Sequence, residues 1–181
     1  WPSSAPATRA RSACPSRSVP PKLGILAGRG ELPGRLAEAC SAAGREFFIL
    51  AFNGETEAPP IAGHPQGWVD LPAVGRGIAM LKQAGAQDLV LIGPVGRPDF
   101  RNLKPDWRGA RLLPRIVRAA RSGDDAIMKV LVEELEGEGF RVIGAEQVLR
   151  ELAAPPGLLA GPAPNARDRA DIRRGIEVLQ A

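Results

Sequence analysis

The chain has 181 residues, 44% hydrophobic and 24% charged, which suits one domain of ordinary size and excludes both general disorder and a membrane-embedded protein. Its formal charge of +4 comes from the residues before the first strand, where Arg9, Arg11, Arg17 and Lys22 meet no acid. From Leu23 onward 20 basic residues face 20 acidic ones, so net charge gives no support to nucleic-acid binding.

The leader, residues 1–21, is rich in Ser, Pro, Ala and Arg. Its prolines forbid a continuous amphipathic helix, so it fits a targeting segment poorly and is expected to be a disordered extension or an artefact of where the chain was taken to start. The missing initiating Met agrees with a fragment or a mis-assigned start. Two cysteines, Cys14 and Cys40, give neither a disulfide framework nor metal-ligand spacing, and a cytoplasmic protein with reduced thiols is expected.

Leu23 to Ala27 reads as a short buried strand broken at Gly28 to Gly30. Pro33 suits the first turn of a following helix, whose stripe is Leu36, Ala37, Cys40 and Ala43 and whose end is Gly44. Phe47 to Phe52 is the next apolar run, completing a β-α-β unit. Asn53 to Gly67 reads as a Pro/Gly loop, Trp68 to Leu71 as a short strand and Val74 to Ala84 as a helix. Asp88 to Ile92 is a second run of the kind expected of a fully buried parallel strand. Leu112 to Arg121 then reads as a helix with Pro114 near its start, and Asp124 to Glu138 as another with Ile127, Val130, Leu131 and Leu135 on one face. Phe140 to Ile143 is a last strand, Glu146 to Leu152 a short helix, and Pro155 to Pro164 a linker. Ala166 to Ala181 is helical by pattern, with Ile172, Ile176 and Leu179 on one side. It stops without a cap, Gly or Pro, as an interrupted chain would.

Alternating strands and helices imply an α/β domain over residues 22–154, with a Rossmann-like, doubly wound, mostly parallel sheet. Residues 155–181 are expected to be a linker and a C-terminal helix leading toward a second domain. In open α/β sheets ligands sit outside the carboxyl ends of the strands. Two glycine-bearing loops should open there, Gly28-Arg29-Gly30-Glu31-Leu32-Pro33 and Gly93-Pro94-Val95-Gly96-Arg97-Pro98-Asp99-Phe100.

The first loop joins a strand to a helix N-terminus, whose unpaired N–H groups and dipole attract phosphate. As a dinucleotide fingerprint it fails in part: the third glycine of G-x-G-x-x-G falls at Pro33, and no acid clearly closes the second strand. Glu55 comes closest, in an Asn53-Gly54 turn. A tight turn needing positive φ explains the glycines equally well. In the second loop Gly93 and Gly96 permit close backbone approach, Arg97 offers a planar fork for a phosphate or carboxylate, and Asp99 is placed to orient it. A proline-stiffened turn with a solvated Arg is the alternative.

Gly123-Asp124-Asp125 opens a helix, where adjacent carboxylates serve as cap and dipole partner, as a sugar-hydroxyl acceptor or as support for a divalent ion. Arg97, Arg101, Lys104, Arg108, Arg111, Arg115, Arg118 and Arg121 face only Asp99 and Asp106, a positive segment suited to phosphates, to an anionic membrane surface, or to plain solvation. His64 is the only histidine and has no Ser, Cys or Asp constellation near it, which argues against histidine-dependent nucleophilic catalysis. Trp68 and Trp107 are equally explained as pocket lining and as packing.

Read together, Leu23 to Pro33, Gly96-Arg97-Pro98-Asp99-Phe100, Pro105-Asp106-Trp107-Arg108-Gly109, Leu113-Pro114, Gly123-Asp124-Asp125-Ala126 and Glu138 to Ala145 resemble the UDP-2,3-diacylglucosamine pyrophosphatases of the LpxI type. The resemblance covers roughly Leu23 to Ala181. It implies a cytoplasmic hydrolase of lipid A biosynthesis in Gram-negative bacteria, peripheral at the inner membrane, that converts UDP-2,3-diacylglucosamine to UMP and 2,3-diacylglucosamine 1-phosphate with a divalent metal, Mg2+. It further implies that the metal-binding acid belongs to a C-terminal domain outside this sequence, so that no catalytic residue is assigned here and the chain alone should turn over little. Arg29 departs from the family, many members of which carry glycine there.

The expected substrate-binding residues are Gly28, Arg29, Gly30, Leu32, Gly93, Val95, Arg97, Asp99, Gly123, Asp124 and Asp125, with Gly28, Arg29, Gly30 and Leu32 holding the diphosphate or uridine end and Arg97 and the Gly123 to Asp125 turn on the other wall. A nicotinamide-dependent oxidoreductase domain and a non-catalytic nucleotide-binding module are the alternatives. The former leaves the second loop and the basic segment unexplained.

Overall fold

The protein is described from a computed structural model, over residues 20–96, 105–149 and 160–180. Its central strand, β1 (Leu23–Ala27), is buried on both faces and pairs in parallel with two neighbours. One is β2 (Phe47–Phe52), the other β4 (Asp88–Ile92). The outer strands are β3 (Gln66–Val69), beside β2, and β5 (Arg141–Val142), beside β4. The order is β3-β2-β1-β4-β5 and every pairing is parallel, the arrangement of a Rossmann-like α/β fold. Strands covered on both faces need apolar residues at successive positions rather than alternate ones, which is why the central three read as continuous runs.

The two faces have separate cores. On one, Leu23, Ile25, Ile49 and Val90 pack with Leu36, Ala37 and Cys40 of α1 (Leu32–Ala42), with Ile61 of the short α2 (Ala58–Ile61) and with Leu149. On the other, Leu50, Val69 and Leu89 pack with Ile78 and Leu81 of α3 (Val74–Gln83) and with Leu135 of α5 (Asp124–Gly137). A further helix, α4 (Trp107–Ala119), packs on α3 and α5. Burial of Cys40 raises its thiol pKa against the lowering effect of Arg45, so it is an inert core residue.

Several expectations need revision. The third strand begins at Gln66, two residues before Trp68, because its ladder with β2 opens at Ile49 and Gln66, while Asp70 and Leu71 belong to the following turn. The loop before it contains α2. The fourth helix begins at Trp107 rather than Leu112, since Asp106 caps it by accepting from the Gly109 N–H at 2.7 Å, and Pro114 therefore stands inside the helix. The helix expected over Glu146 to Leu152 is a single 3-10 turn at Ala145–Gln147 within the described residues. Finally, α6 (Ala166–Gln180) forms as expected, but Ile172, Ile176 and Leu179 remain exposed.

At the amino end of the sheet Asp88, only 3% exposed at its side chain, accepts from Arg45 Nη2 at 2.7 Å and from Arg141 Nε and Nη2, both at 2.8 Å. Arg45 also donates to the Pro21 carbonyl. The cluster thus ties the approach to β1, the approach to β2 and the starts of β4 and β5. Burial opposes ionisation of Asp88 most strongly, but the hydrogen bonds and charge of Arg141, with those of Arg45, outweigh it and hold its pKa below the ordinary 3.8. At the other end, the Thr56 hydroxyl donates to the Ala27 carbonyl and accepts from the Phe52 N–H at 2.8 Å, fastening the loop after β2 to the end of β1.

Two outcomes follow for stability. Asp88→Ala should cost about 3 kcal/mol in urea unfolding, because it leaves the buried Arg45 guanidinium unpaired. Since the folded pKa of Asp88 is depressed, its contribution is fully present above the unfolded value and is lost as pH falls through the folded one; the variant should lack that part of the acid limb. Thr56→Val keeps the shape but strands one donor and one acceptor, and a loss of about 2 kcal/mol is expected in the same measurement.

Candidate functional site

Strand β1 lies between β2 and β4, so the crossovers on its two sides diverge, and the switch point of the sheet is at its carboxyl end. Both glycine-bearing loops are there, and their backbones touch. The Gly28 N–H donates to the Ile92 carbonyl at 2.8 Å and the Arg29 N–H to the Pro94 carbonyl at 2.9 Å. A Cβ on Gly28 would fall on the Gly93 carbonyl, and one on Gly93, whose φ is +88°, would lie 2.7 Å from the Arg29 carbonyl. These two glycines owe their identity to one another. Gly30 differs: its φ of +87° demands glycine, yet open space surrounds its Cβ position. Next along the chain, Leu32 begins α1 and packs on the first core.

The loops are joined from a third side. Glu55, just past β2, accepts at a single oxygen, Oε2, from the Gly96 N–H at 2.7 Å and from Arg29 Nε at 3.0 Å, and the same oxygen lies 2.8 Å from Arg29 Nη2 in an ion pair. The Glu55 side chain is 19% exposed and that of Arg29 50%. The Gly96 N–H first, and Arg29 with it, hold the Glu55 carboxyl below the usual carboxylate range against partial burial. The Arg29 guanidinium lies close against Gly96, in the space that a Cβ there would take. The sequence brought Glu55 forward only as a misplaced ribose acceptor. Its signal was positional, an acid just beyond the strand beside the glycine turn, and the turn around Gly54, with φ +77°, redirects it from a sugar toward the other loops.

Of the remaining candidates, Val95 is partly exposed on the second loop, and Arg97 and Asp99 fall outside the described residues. Gly123, φ +119°, is the N-cap of α5, and Asp124 and Asp125 stand in its first turn, where negative charge complements the helix dipole. They belong to the α4–α5 hairpin and not to either loop. A hollow of about 530 Å3 lies in that hairpin, lined by Trp107, Arg108, Arg111, Arg115, Glu133 and Glu138 among others. Arg115 pairs with Glu133 at 2.8 Å, and Glu138 pairs with Arg108 and, at 2.6 Å, with Lys82. The basic segment is thus partly neutralised by α5.

Among the described residues, no group of three or more His, Cys, Asp and Glu side chains converges as metal ligands do. The divalent metal implied by the resemblance therefore finds no complete protein cradle in them.

The carboxyl edge of the sheet is thus a switch point where one main-chain N–H and one guanidinium gather around a carboxylate. Comparison with known proteins supplies the lineage. The family described as the LpxI N-terminal domain matches residues 22–152. The UDP-2,3-diacylglucosamine pyrophosphatase LpxI of Caulobacter vibrioides is 38% identical over 159 residues, 88% of this chain and 56% of the relative. The chain thus spans just over half the length of that relative, and the match runs through the strands and loops that build the edge. With the family model covering residues 22–152 and this extent of sequence identity to the relative, the chain belongs to the LpxI N-terminal domain family.

Proposed function

We propose that this domain holds the nucleotide diphosphate of UDP-2,3-diacylglucosamine in a hydrolase of lipid A biosynthesis that releases UMP and 2,3-diacylglucosamine 1-phosphate. The observation that carries this reading is the gathering of the Arg29 guanidinium and the Gly96 N–H at the switch-point edge, donors suited to phosphate oxygens. The Caulobacter relative is a UDP-2,3-diacylglucosamine pyrophosphatase, which agrees with this reading. The open surroundings of Gly30 add room for a ligand beside the start of α1.

In such a reaction the oxygen of water forms a new bond to phosphorus as the bridging P–O bond breaks, and UMP departs. No protein nucleophile is needed; positioned charge is. We assign Gly28, Arg29, Gly30 and Leu32 to the diphosphate or uridine end, Arg97 with Gly123, Asp124 and Asp125 to the other wall, and Gly93, Val95 and Asp99 to the rest of the substrate-binding surface. Dependence on a divalent metal, Mg2+, is part of the proposal.

The location proposed is cytoplasmic, with peripheral contact at the inner membrane. Among the described residues no helix is long and apolar enough to cross a bilayer. The exposed Trp107 and the arginines of α4 suit an anionic lipid surface.

The nicotinamide reading fares worse. Its third glycine is replaced by Pro33 at the start of α1, and Glu55, the one acid near the ribose position, is committed to Gly96 and Arg29.

Isothermal titration separates the two: UDP should give a saturable heat and NAD none. NAD binding without a UDP response would replace the pyrophosphatase reading.

A further inference from the structure

The Glu55 contact is built differently from the structural ion pair at the opposite end of the sheet. Asp88 spreads its bonds over both oxygens, as a carboxylate bridging two elements does. Glu55 gathers two hydrogen-bond donors, Arg29 Nε and the Gly96 N–H, on one oxygen, Oε2, with Arg29 Nη2 in ion-pair contact at 2.8 Å, and among the described residues its other oxygen accepts no hydrogen bond. A guanidinium and a main-chain N–H converging on one anionic oxygen is the kind of coordination that a phosphoryl oxygen receives in backbone nests and arginine sites.

The arm that delivers the carboxylate has a fixed base and a free end. Its base is Thr56, which is buried and tied to the Ala27 carbonyl and the Phe52 N–H. Beyond the base, the Glu55 side chain turns about its own rotatable bonds, and it is 19% exposed, so water is at hand to solvate it once released. Arg29, half exposed, is reachable from outside. Withdrawal of the carboxylate would leave both donors in place, because the Arg29 N–H is held by the Pro94 carbonyl and the guanidinium rests against Gly96.

We propose that Arg29 and the Gly96 N–H form a subsite for a phosphoryl group, and that Glu55 fills this subsite in the ligand-free protein as a displaceable internal competitor. The subsite takes a phosphate monoester or diphosphate oxygen. Each binding event exchanges one anion for another, so affinity is set below what the donors alone would give. A prop for the second loop is the competing role for Glu55, and it predicts the opposite sign: removing a prop weakens binding, while removing a competitor strengthens it.

The inference rests on reading this edge as the phosphate-holding one, and inorganic pyrophosphate tests it apart from the nucleotide. Dissociation constants for pyrophosphate and for UDP are measured by calorimetry on the chain and on Glu55→Gln, which keeps the shape and removes the charge. Tightening of about three- to tenfold is expected for both ligands, the size of one exposed, charge-assisted pair. The gain should vanish in Glu55→Gln combined with Arg29→Ala.

An unchanged or weakened pyrophosphate affinity in Glu55→Gln overturns the proposal. The unmodified chain provides a second readout that does not depend on how the variant folds. Saturating pyrophosphate should move the Glu55 carboxyl carbon resonance to that of a solvated carboxylate, and an unmoved resonance also overturns the proposal. Pyrophosphate binding with the expected gain but no UDP binding would keep this inference and sink the nucleotide reading. UDP binding with no gain would do the reverse.

Discussion

Pairing β1 with β2 and β4 at the same level constrains everything that follows. Ala27 is opposite Ala51 on one side and Ile92 on the other, so three loops leave the sheet within a residue or two of one another. Parallel strands make this unavoidable: their crossovers all begin at the carboxyl edge and must be sorted to one face or the other. Where the loops crowd, side chains have no room, and Gly28 and Gly93 meet backbone to backbone. Where the crowding relaxes, at Gly96 and Glu55, polar groups converge instead.

The charge-bearing groups of the body are arranged as local settlements rather than as a field. Asp88 answers Arg45 and Arg141, Glu138 answers Lys82 and Arg108, and Glu55 answers Arg29. The first of these is inside the fold and contributes to its stability. The second draws together α3, α4 and the end of α5 at the surface, where water and salt weaken such pairs. The third stands where three loops meet, and is the one whose partners would also suit a ligand.

Much of this was legible in the sequence where a single physical signal dominated. Strands β1, β2 and β4 are continuous apolar runs ended by glycine or by a turn, and their bounds agree with the structure to the residue. Helix α4 starts earlier than its apolar pattern suggests because its start is set by a side-chain cap at Asp106, while Pro114 has the character of a first-turn residue. Strand β3 was displaced because Trp68 dominated the pattern, although Gln66 and Gly67 make the ladder. The shared edge of the glycine loops could be inferred from parallel topology. The convergence on Glu55 Oε2 could not, because it depends on a left-handed turn at Gly54 and on the Thr56 hydroxyl bond, neither of which has a periodic signature.

The Asp88 cluster implies a gradient of rigidity along the sheet. Its rim is stapled through a nearly dry carboxylate to two guanidiniums and through one of them to the Pro21 carbonyl, whereas the far rim is held by Thr56 and by a half-wet guanidinium. Amide protons at the starts of β1 and β4 should therefore outlast those around Gly93 to Gly96 in deuterium exchange. The fold would then breathe from one end only, leaving its softer lip free to reshape around a guest while the opposite end keeps the strands in alignment.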